Sequence, residues 1–323
     1  MGSSVHGPPN CPVPRSMPIS RFSLPGLVLL GALAASCNKD PEVVPNNEPP
    51  AYSGVPTVIT ENYVNRLFID LLGREPLDAE MQAEVSVLEA ASLSMDARTA
   101  LVNKLMTSTA PLADDTSYRN KYYTRQYELY KARCLEGASD EVIDGFIANA
   151  QQQALDDSLS GNGTGLNAAN SAVARLLAVK SSRTEYRDGL ITINEVMRRM
   201  VLNAVYDEIN MNSFNYVNAT FDNLLGRYPT NAEFEVAYAM VDAGQVGLLF
   251  GQSGQNKGDY AQIMARSAEG HEGIIRWSYQ TFLGRVPTSG EVYALLPGFL
   301  DDNDLQRVQR TILISNEYAN IEP

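Results

Sequence analysis

Residues 71–80 read L-L-G-R-E-P-L-D-A-E, residues 224–233 read L-L-G-R-Y-P-T-N-A-E, and residues 282–291 read F-L-G-R-V-P-T-S-G-E. The phrase L-G-R-x-P-x-x-x-E therefore occurs three times in a chain of 323 residues. Glycine suits the left-handed position that closes a helix, and the proline after it prevents the helix from continuing. The glutamate suits the first turn of a new helix, where it can complete a capping box. The phrase predicts a helix–turn–helix corner, which we call the L-G-R-x-P corner.

The three corners share four residue types at fixed spacing. They are Gly73, Arg74, Pro76 and Glu80; Gly226, Arg227, Pro229 and Glu233; and Gly284, Arg285, Pro287 and Glu291. The second and third copies have threonine at the capping position, whereas the first has Leu77, so that Asp78 could cap instead. Three arginines could bind carboxylate or phosphate groups of a ligand. In an acidic chain, however, pairing with last-turn carbonyls or with the motif glutamate explains them better, and we interpret the corner as a structural joint.

The sequence before each corner is amphipathic with helical spacing. Val64, Leu67, Phe68, Leu71 and Leu72 fall on one face of an α-helix, and the later copies keep this face. Alternating strand patterns are scarce. We therefore predict an all-α fold of helical repeats joined by the corners. Further helices are expected at 79–91, 95–107, 118–135, 139–155, 168–180, 191–208, 231–243 and 304–317.

Two glycine-rich stretches interrupt the helical pattern. The first, S-L-S-G-N-G-T-G-L-N at 158–167, predicts a polar loop. It would separate an N-terminal helical domain, 57–157, from a C-terminal helical domain, 168–323, which holds two copies of the corner. The second stretch, 244–258, predicts an inserted loop within the second repeat.

Residues 1–36 have the composition of a signal peptide. Arg15 and Arg21 supply the positive region, and the apolar run 24–35 is too short for a stable membrane-spanning helix. The run ends in L-A-A-S-C at Cys37, which resembles the lipobox of bacterial lipoproteins. The resemblance implies cleavage before Cys37 and attachment of lipid to its sulfur. An ordinary secretory signal followed by a chance cysteine is the alternative.

Residues 37–56 are rich in proline and have no apolar periodicity, which predicts a disordered tether. Residues 38–42, N-K-D-P-E, resemble the signal with which Bacteroidetes-type bacteria export lipoproteins to the outer face of the outer membrane. This implies a membrane contact through N-terminal acyl chains and a cell-exterior location, with the periplasmic face as the alternative. The chain has 25 Lys and Arg against 38 Asp and Glu, which argues against a nucleic-acid partner.

Few residues indicate chemistry. After cleavage Cys37 would carry lipid, so Cys134 would have no partner for a structural disulfide. The chain also lacks the C-x-x-C-H motif of covalent haem. His271, beside Glu272, is interpreted as a surface or capping residue. Weak candidates for a calcium site are Asp301, Asp302 and Asp304, which an acidic helix terminus explains as well. The sequence predicts no cofactor and no metal.

Residues 69–76 (I-D-L-L-G-R-E-P) followed by 98–109 (R-T-A-L-V-N-K-L-M-T-S-T) resemble a family of helical domains of unknown function. That family occurs in secreted planctomycete proteins that often carry cytochrome c modules. The later copies, with I-S-N-E-Y at 314–318, resemble phycobilisome-linker-type and related extracellular repeats. Both resemblances imply a helical module and no particular chemistry.

These features together predict a non-catalytic, lipid-anchored cell-envelope protein that acts as a structural or protein-binding module. A protein partner on the envelope is expected. One alternative is an accessory glycan-binding lipoprotein of an outer-membrane uptake system, which clustered exposed aromatic side chains would favour. Another is a hydrolase with dispersed carboxylates, which a deep pocket holding two carboxylates would favour.

Overall fold

The computed structural model describes residues 54–112 and 116–321. They belong to one compact unit, Tyr52–Pro323. The predicted signal peptide 1–36, the predicted lipidation site Cys37 and nearly all of the predicted tether lie outside the described residues.

The described part of the chain is built from helices and one short hairpin, which confirms the all-α prediction. The helices are α1 (Thr57–Leu72), α2 (Asp78–Ala90), α3 (Met95–Thr107), α4 (Tyr118–Leu135), α5 (Asp140–Ser160), α6 (Gly163–Arg187), α7 (Ile193–Val201), α8 (Ala204–Asn210), α9 (Ser213–Leu225), α10 (Asn231–Ala243), α11 (Lys257–Arg266), α12 (Ala268–Leu283), α13 (Ser289–Asp302), α14 (Leu305–Leu313) and α15 (Asn316–Ala319). The hairpin consists of β1 (Gly247–Leu249) and β2 (Gln252–Gly254). Within the described ranges, no helix has both the length and the apolar character to cross a membrane.

The amphipathic face predicted for α1 is the face that packs into the core. Val64, Leu67, Phe68 and Leu71 are fully buried, and α9 and α12 bury the corresponding residues before their own corners. Each such side chain contributes about 1.5–3 kcal/mol when it leaves water. The apolar residues before each corner therefore form part of one continuous hydrophobic core.

The third repeat packs directly on the first. The buried hydroxyl of Tyr63 in α1 donates to the carbonyl of Leu313, 3.1 Å away, at the end of α14. The hydroxyl of Tyr318 in α15 donates to a carboxylate oxygen of Asp70 at 2.7 Å. These bonds join positions about 250 residues apart in the chain. The short α15 thus closes the helical body against its first helix.

The prediction of a polar loop at 158–167 is wrong. Helix α5 runs into this segment, and only two residues separate its end from the start of α6. Gly161 takes the left-handed conformation (φ 73°) that ends α5, and the Asn162 side chain accepts from the backbone N–H of Gly165 to start α6. A side chain at Gly165 would clash with Asp157 and Asn162, which explains a glycine inside the first turn. The glycines therefore serve a two-residue turn.

The predicted loop at 244–258 is mostly the β-hairpin. Its two strands pair antiparallel, and Phe250 and Gly251 form the turn with positive φ values of 50° and 75°. The Phe250 ring lies 6.0 Å from the ring of Phe221 and 6.0 Å from the guanidinium carbon of Arg227. The insertion therefore covers the second corner.

Two helices expected as single elements are each divided in two. The segment 191–208 forms α7 and α8, because the Asn203 side chain accepts from the N–H groups of Val205 and Tyr206 and begins a new helix. The segment 304–317 forms α14 and α15, where Ser315 caps the second helix. Polar caps inside an apolar pattern cause both breaks.

Candidate functional site

The arginine of the first corner pairs with the glutamate of the same corner. The Arg74 guanidinium donates to both carboxylate oxygens of Glu80, at 2.7 and 2.8 Å. Glu80 also accepts from the backbone N–H of Leu77 and from the hydroxyl of Tyr118, each at 2.8 Å. Leu77 occupies the N-cap although its side chain cannot accept, so the expectation that Asp78 caps this helix is wrong.

The second and third corners repeat the two-bond pair. Arg227 donates to Glu233 at 2.9 and 2.7 Å, and Arg285 donates to Glu291 at 3.0 and 2.6 Å. Both glutamates complete capping boxes with the threonine three residues before them, as predicted. The glycine of each corner has φ between 67° and 73° and closes its helix in the left-handed conformation.

A second glutamate joins each of these two corners to a helix later in the chain. Arg227 also donates to Glu269 at the start of α12, and Arg285 donates to Glu317 in α15 at 2.6 Å. Both acids stand two residues after a capping serine, in S-A-E and S-N-E. This S-x-E spacing is a signal that could have predicted the contact. In the first corner the Tyr118 hydroxyl of α4 donates to the glutamate, Glu80.

The corner glutamates are held ionised. Burial raises the pKa of Glu80, but hydrogen bonds from Arg74, Leu77 and Tyr118 outweigh it and lower the pKa to about 2. Hydrogen bonds from the corner arginines also lower the pKa of Glu233 and of Glu291 to about 2. Such carboxylates are poor proton donors or acceptors at neutral pH. The corner charges therefore satisfy one another and fix the turn.

His271 lies in the core, so its interpretation as a surface or capping residue is wrong. It is 5% exposed. Its Nδ1 lies 2.8 Å from the carbonyl oxygen of Ser267, and its Nε2 lies 2.9 Å from Asn303 Oδ1 and 3.3 Å from Asn194 Nδ2. The imidazole thus bridges the start of α12, the end of α13 and the start of α7. Sequence gave no indication of these partners because they come from three separate segments.

The aspartates at the end of α13 are engaged by the backbone. Asp302 accepts from the N–H of Asp304 and from Arg307, both at 2.9 Å, and Asp304 caps α14 by accepting from the N–H of Arg307 at 3.0 Å. Asp301 is exposed. Across residues 54–112 and 116–321, no group of three or more His, Cys, Asp or Glu side chains is placed to hold a metal ion.

An open groove runs along the solvent face of α9 and ends at the second corner. We call it the α9 groove, and its volume is about 510 Å³. Its lining residues are Asn210, Phe214, Asn215, Asn218, Ala219, Asp222 and Tyr228. Phe214, Asn218 and Asp222 are spaced four residues apart and therefore share one face of the helix. Tyr228, the variable residue of L-G-R-x-P, stands at the far end.

Two aromatic rings of the α9 groove face solvent. The side chain of Phe214 is 57% exposed and that of Tyr228 is 72% exposed. Phe214 is held in place by an edge contact with Phe234 of α10, whose ring centre lies 5.0 Å away. A fixed and exposed ring is a ready contact surface for a ligand.

Polar groups of the α9 groove retain unused hydrogen-bonding capacity. The Asn218 amide donates to the carbonyl of Phe214 at 2.9 Å, and the Asn210 amide donates to the carbonyl of Tyr206 at 2.7 Å. Each of these amides keeps its own oxygen and one N–H. We find no hydrogen bond to the side chains of Asn215 or Asp222 from the described residues. The groove was missed in sequence analysis because its parts lie on both sides of the corner.

A second cleft, of about 440 Å³, lies between the second corner and α12. Its lining includes Glu269 and Glu272, which are the carboxylates of interest for a hydrolase. Glu269 pairs with Arg227, and Glu272 pairs with Arg276. Both acids therefore hold ion pairs within the cleft.

No protein-family model matches the chain, and neither a curated protein nor a solved structure matches it. The resemblances drawn from the L-G-R-x-P phrase therefore stay predictions from sequence. Functional assignment rests on the chemistry of the α9 groove and on the pattern of the N-terminal residues.

Proposed function

We propose that this chain is a non-catalytic, lipid-anchored protein of the cell envelope whose helical body is a structural and binding module. The α9 groove is its binding surface, and the exposure of Phe214 and Tyr228 in that groove is the observation that carries the proposal. The lipobox-like sequence ending at Cys37 supports the anchor, and the export-signal resemblance supports an outer-membrane location facing the cell exterior.

The distribution of charge supports binding rather than catalysis. The corner arginines form ion pairs with the corner glutamates, and the acids of the second cleft form ion pairs with arginines as well. A general acid would need a pKa near neutrality, whereas the corner acids have theirs near 2. Unengaged polar groups and exposed rings occur together in the α9 groove.

A protein on the envelope is the partner class expected first. Glycan binding is a second candidate, and a specific observation favours it. The α9 groove combines exposed aromatic rings with amide and carboxylate side chains, whereas a groove that binds the apolar face of a protein helix is hydrophobic.

The anchor is tested by protease treatment of intact cells that carry the wild-type chain or Cys37→Ala. Anchoring at the cell surface predicts digestion of the wild type on cells and release of the variant from the membrane fraction. Protection of the wild type would place it inside the envelope. Equal membrane retention of both chains would reject lipidation at Cys37.

The binding surface is tested by capture from intact cells with the purified full chain. Tyr228→Ala should lose the captured component, whereas Tyr293→Ala should keep it. Tyr293 is a matched control because it is 79% exposed on α13 and does not line the groove. Equal capture by the wild type and both variants would reject the α9 groove as the binding surface.

A further inference from the structure

We propose that the α9 groove binds a neutral oligosaccharide, with Phe214 and Tyr228 as stacking surfaces and Asn215, Asn218 and Asp222 as hydroxyl partners. This inference rests on the proposed function, because it takes the α9 groove to be the binding surface. It adds the chemical class of the ligand.

The shape of the groove suits an extended ligand. From Phe214 to Asp222 the helix rises ~12 Å, since each residue adds about 1.5 Å. Tyr228 extends the groove beyond the end of α9. A chain of sugar rings can lie along this face, touching an aromatic ring at each end and polar side chains between them.

The polar groups fit hydroxyl groups. A side-chain amide offers two N–H donors and a carbonyl acceptor, and an ionised carboxylate accepts two hydrogen bonds. Vicinal hydroxyls of a sugar are donors and acceptors at short, fixed spacing, so they can pair with Asn215, Asn218 and Asp222. An apolar partner would bury these groups without replacing their bonds to water, which is unfavourable.

The charge of the groove indicates a neutral ligand. Its lining contains Asp222 and no lysine or arginine. Arg133 of α4 interacts electrostatically with Asp222, but it does not line the groove, and its guanidinium donates to the backbone carbonyls of Asn223 at 2.5 Å and Asp222 at 3.1 Å. Sulfated, phosphorylated or acidic sugars would therefore meet a carboxylate of the lining and no lining cation.

The other two repeats supply a comparison within the same chain. At the positions of Phe214, Asn218 and Tyr228, counted from the corner glycine, the first repeat has Glu61, Asn65 and Glu75. The third repeat has Glu272, Arg276 and Val286.

In the third repeat, Glu272 and Arg276 form an ion pair across the same helical face. The combination of aromatic rings and free amides is thus specific to the second repeat. Helix geometry is shared by all three repeats, so it does not require this combination.

The test is affinity electrophoresis of the full chain, in mild detergent, through gels that contain starch, xylan, a mixed-linkage β-glucan or a mannan. Dextran sulfate serves as the charged comparison. At least one neutral polysaccharide should retard the wild type. Tyr228→Ala and Asn218→Ala should weaken that retardation about tenfold in affinity, which corresponds to the loss of one well-placed contact. Tyr228→Phe, which keeps the ring, and the control Tyr293→Ala should bind as the wild type does.

Each contrary result overturns the inference. These results are no retardation by any neutral polysaccharide, retardation by dextran sulfate only, or unchanged binding by Tyr228→Ala. If polysaccharides fail while Tyr228→Ala still loses the component captured from intact cells, the ligand class is wrong and the proposed binding surface stands. If both assays are insensitive to Tyr228→Ala, the proposed function fails as well.

Discussion

Replacing Glu80 by glutamine should destabilise the protein in a pH-dependent way. The pKa of Glu80 is about 2 in the folded chain against an ordinary 4.5. This difference corresponds to about 3 kcal/mol of folding free energy at neutral pH. The side chains of Arg74 and Glu80 remain 28% and 14% exposed, so water and salt screen the pair. We therefore expect Glu80→Gln to lower the free energy of unfolding by about 2 kcal/mol.

The sign of the pH effect follows from the direction of the pKa change. Folding lowers the pKa of Glu80, so its contribution is complete above the unfolded value of 4.5 and is lost as pH falls through about 2. Glutamine does not titrate. The difference between wild type and Glu80→Gln should therefore shrink from about 2 kcal/mol near pH 7 to about 1 kcal/mol near pH 3.

Urea unfolding followed by circular dichroism at both pH values measures this difference. Glu75→Gln is the matched control, because Glu75 belongs to the same corner and is exposed. It should change the free energy of unfolding by less than about 0.5 kcal/mol. A cost for Glu80→Gln that is the same at both pH values would refute the electrostatic explanation of the corner.

Three further experiments test the packing. Gly226→Ala should lower the free energy of unfolding by about 1 kcal/mol, because φ at this position is 68°. Gly145→Ala should raise it by about 0.5–1 kcal/mol, because Gly145 lies within α5 and has open space around it. Melting temperatures of the two variants that shift in the same direction would contradict this contrast. Gly273→Ala would place a methyl group 1.9 Å from the carbonyl oxygen of Leu224. It should lower the free energy of unfolding, measured in urea, by at least about 2 kcal/mol. An unchanged free energy would argue against the close crossing of α9 and α12. Burial raises the pKa of Cys134 to about 12, so a thiol reagent should label it only after unfolding, and rapid labelling of the native chain would place this thiol at the surface.

The parts of the fold that sequence predicted well depend on neighbours in the chain. Gly226, Arg227 and Glu233 lie within eight residues of one another, and their chemistry specifies a helix end, an ion pair and a helix start. The apolar spacing before each corner identifies the buried face for the same reason. Local interactions of this kind can be deduced without knowledge of the rest of the molecule.

The errors arose where the outcome depends on distant contacts or on one detail of a turn. Glycines at 158–167 indicated a loop, but a left-handed Gly161 and a capping Asn162 compress the turn to two residues. His271 has polar neighbours in sequence, yet the fold surrounds it with α7 and α13. The α9 groove joins residues before and after a corner, and which of them face solvent follows from packing.

The corner explains how a repeated joint can carry different surface residues within one chain. Its glycine, arginine and glutamate are fixed by backbone geometry and by each other, and the arginines of the last two corners also pair with a glutamate near the start of a later helix. The residue between arginine and proline is exposed in all three copies, as Glu75, Tyr228 and Val286. Its backbone carbonyl accepts a hydrogen bond from the corner arginine in each copy, but its side chain takes no part in the pairing. Changing that side chain should therefore have little effect on the stability of the corner. A binding surface can thus lie beside one corner while all three corners keep the same structural role.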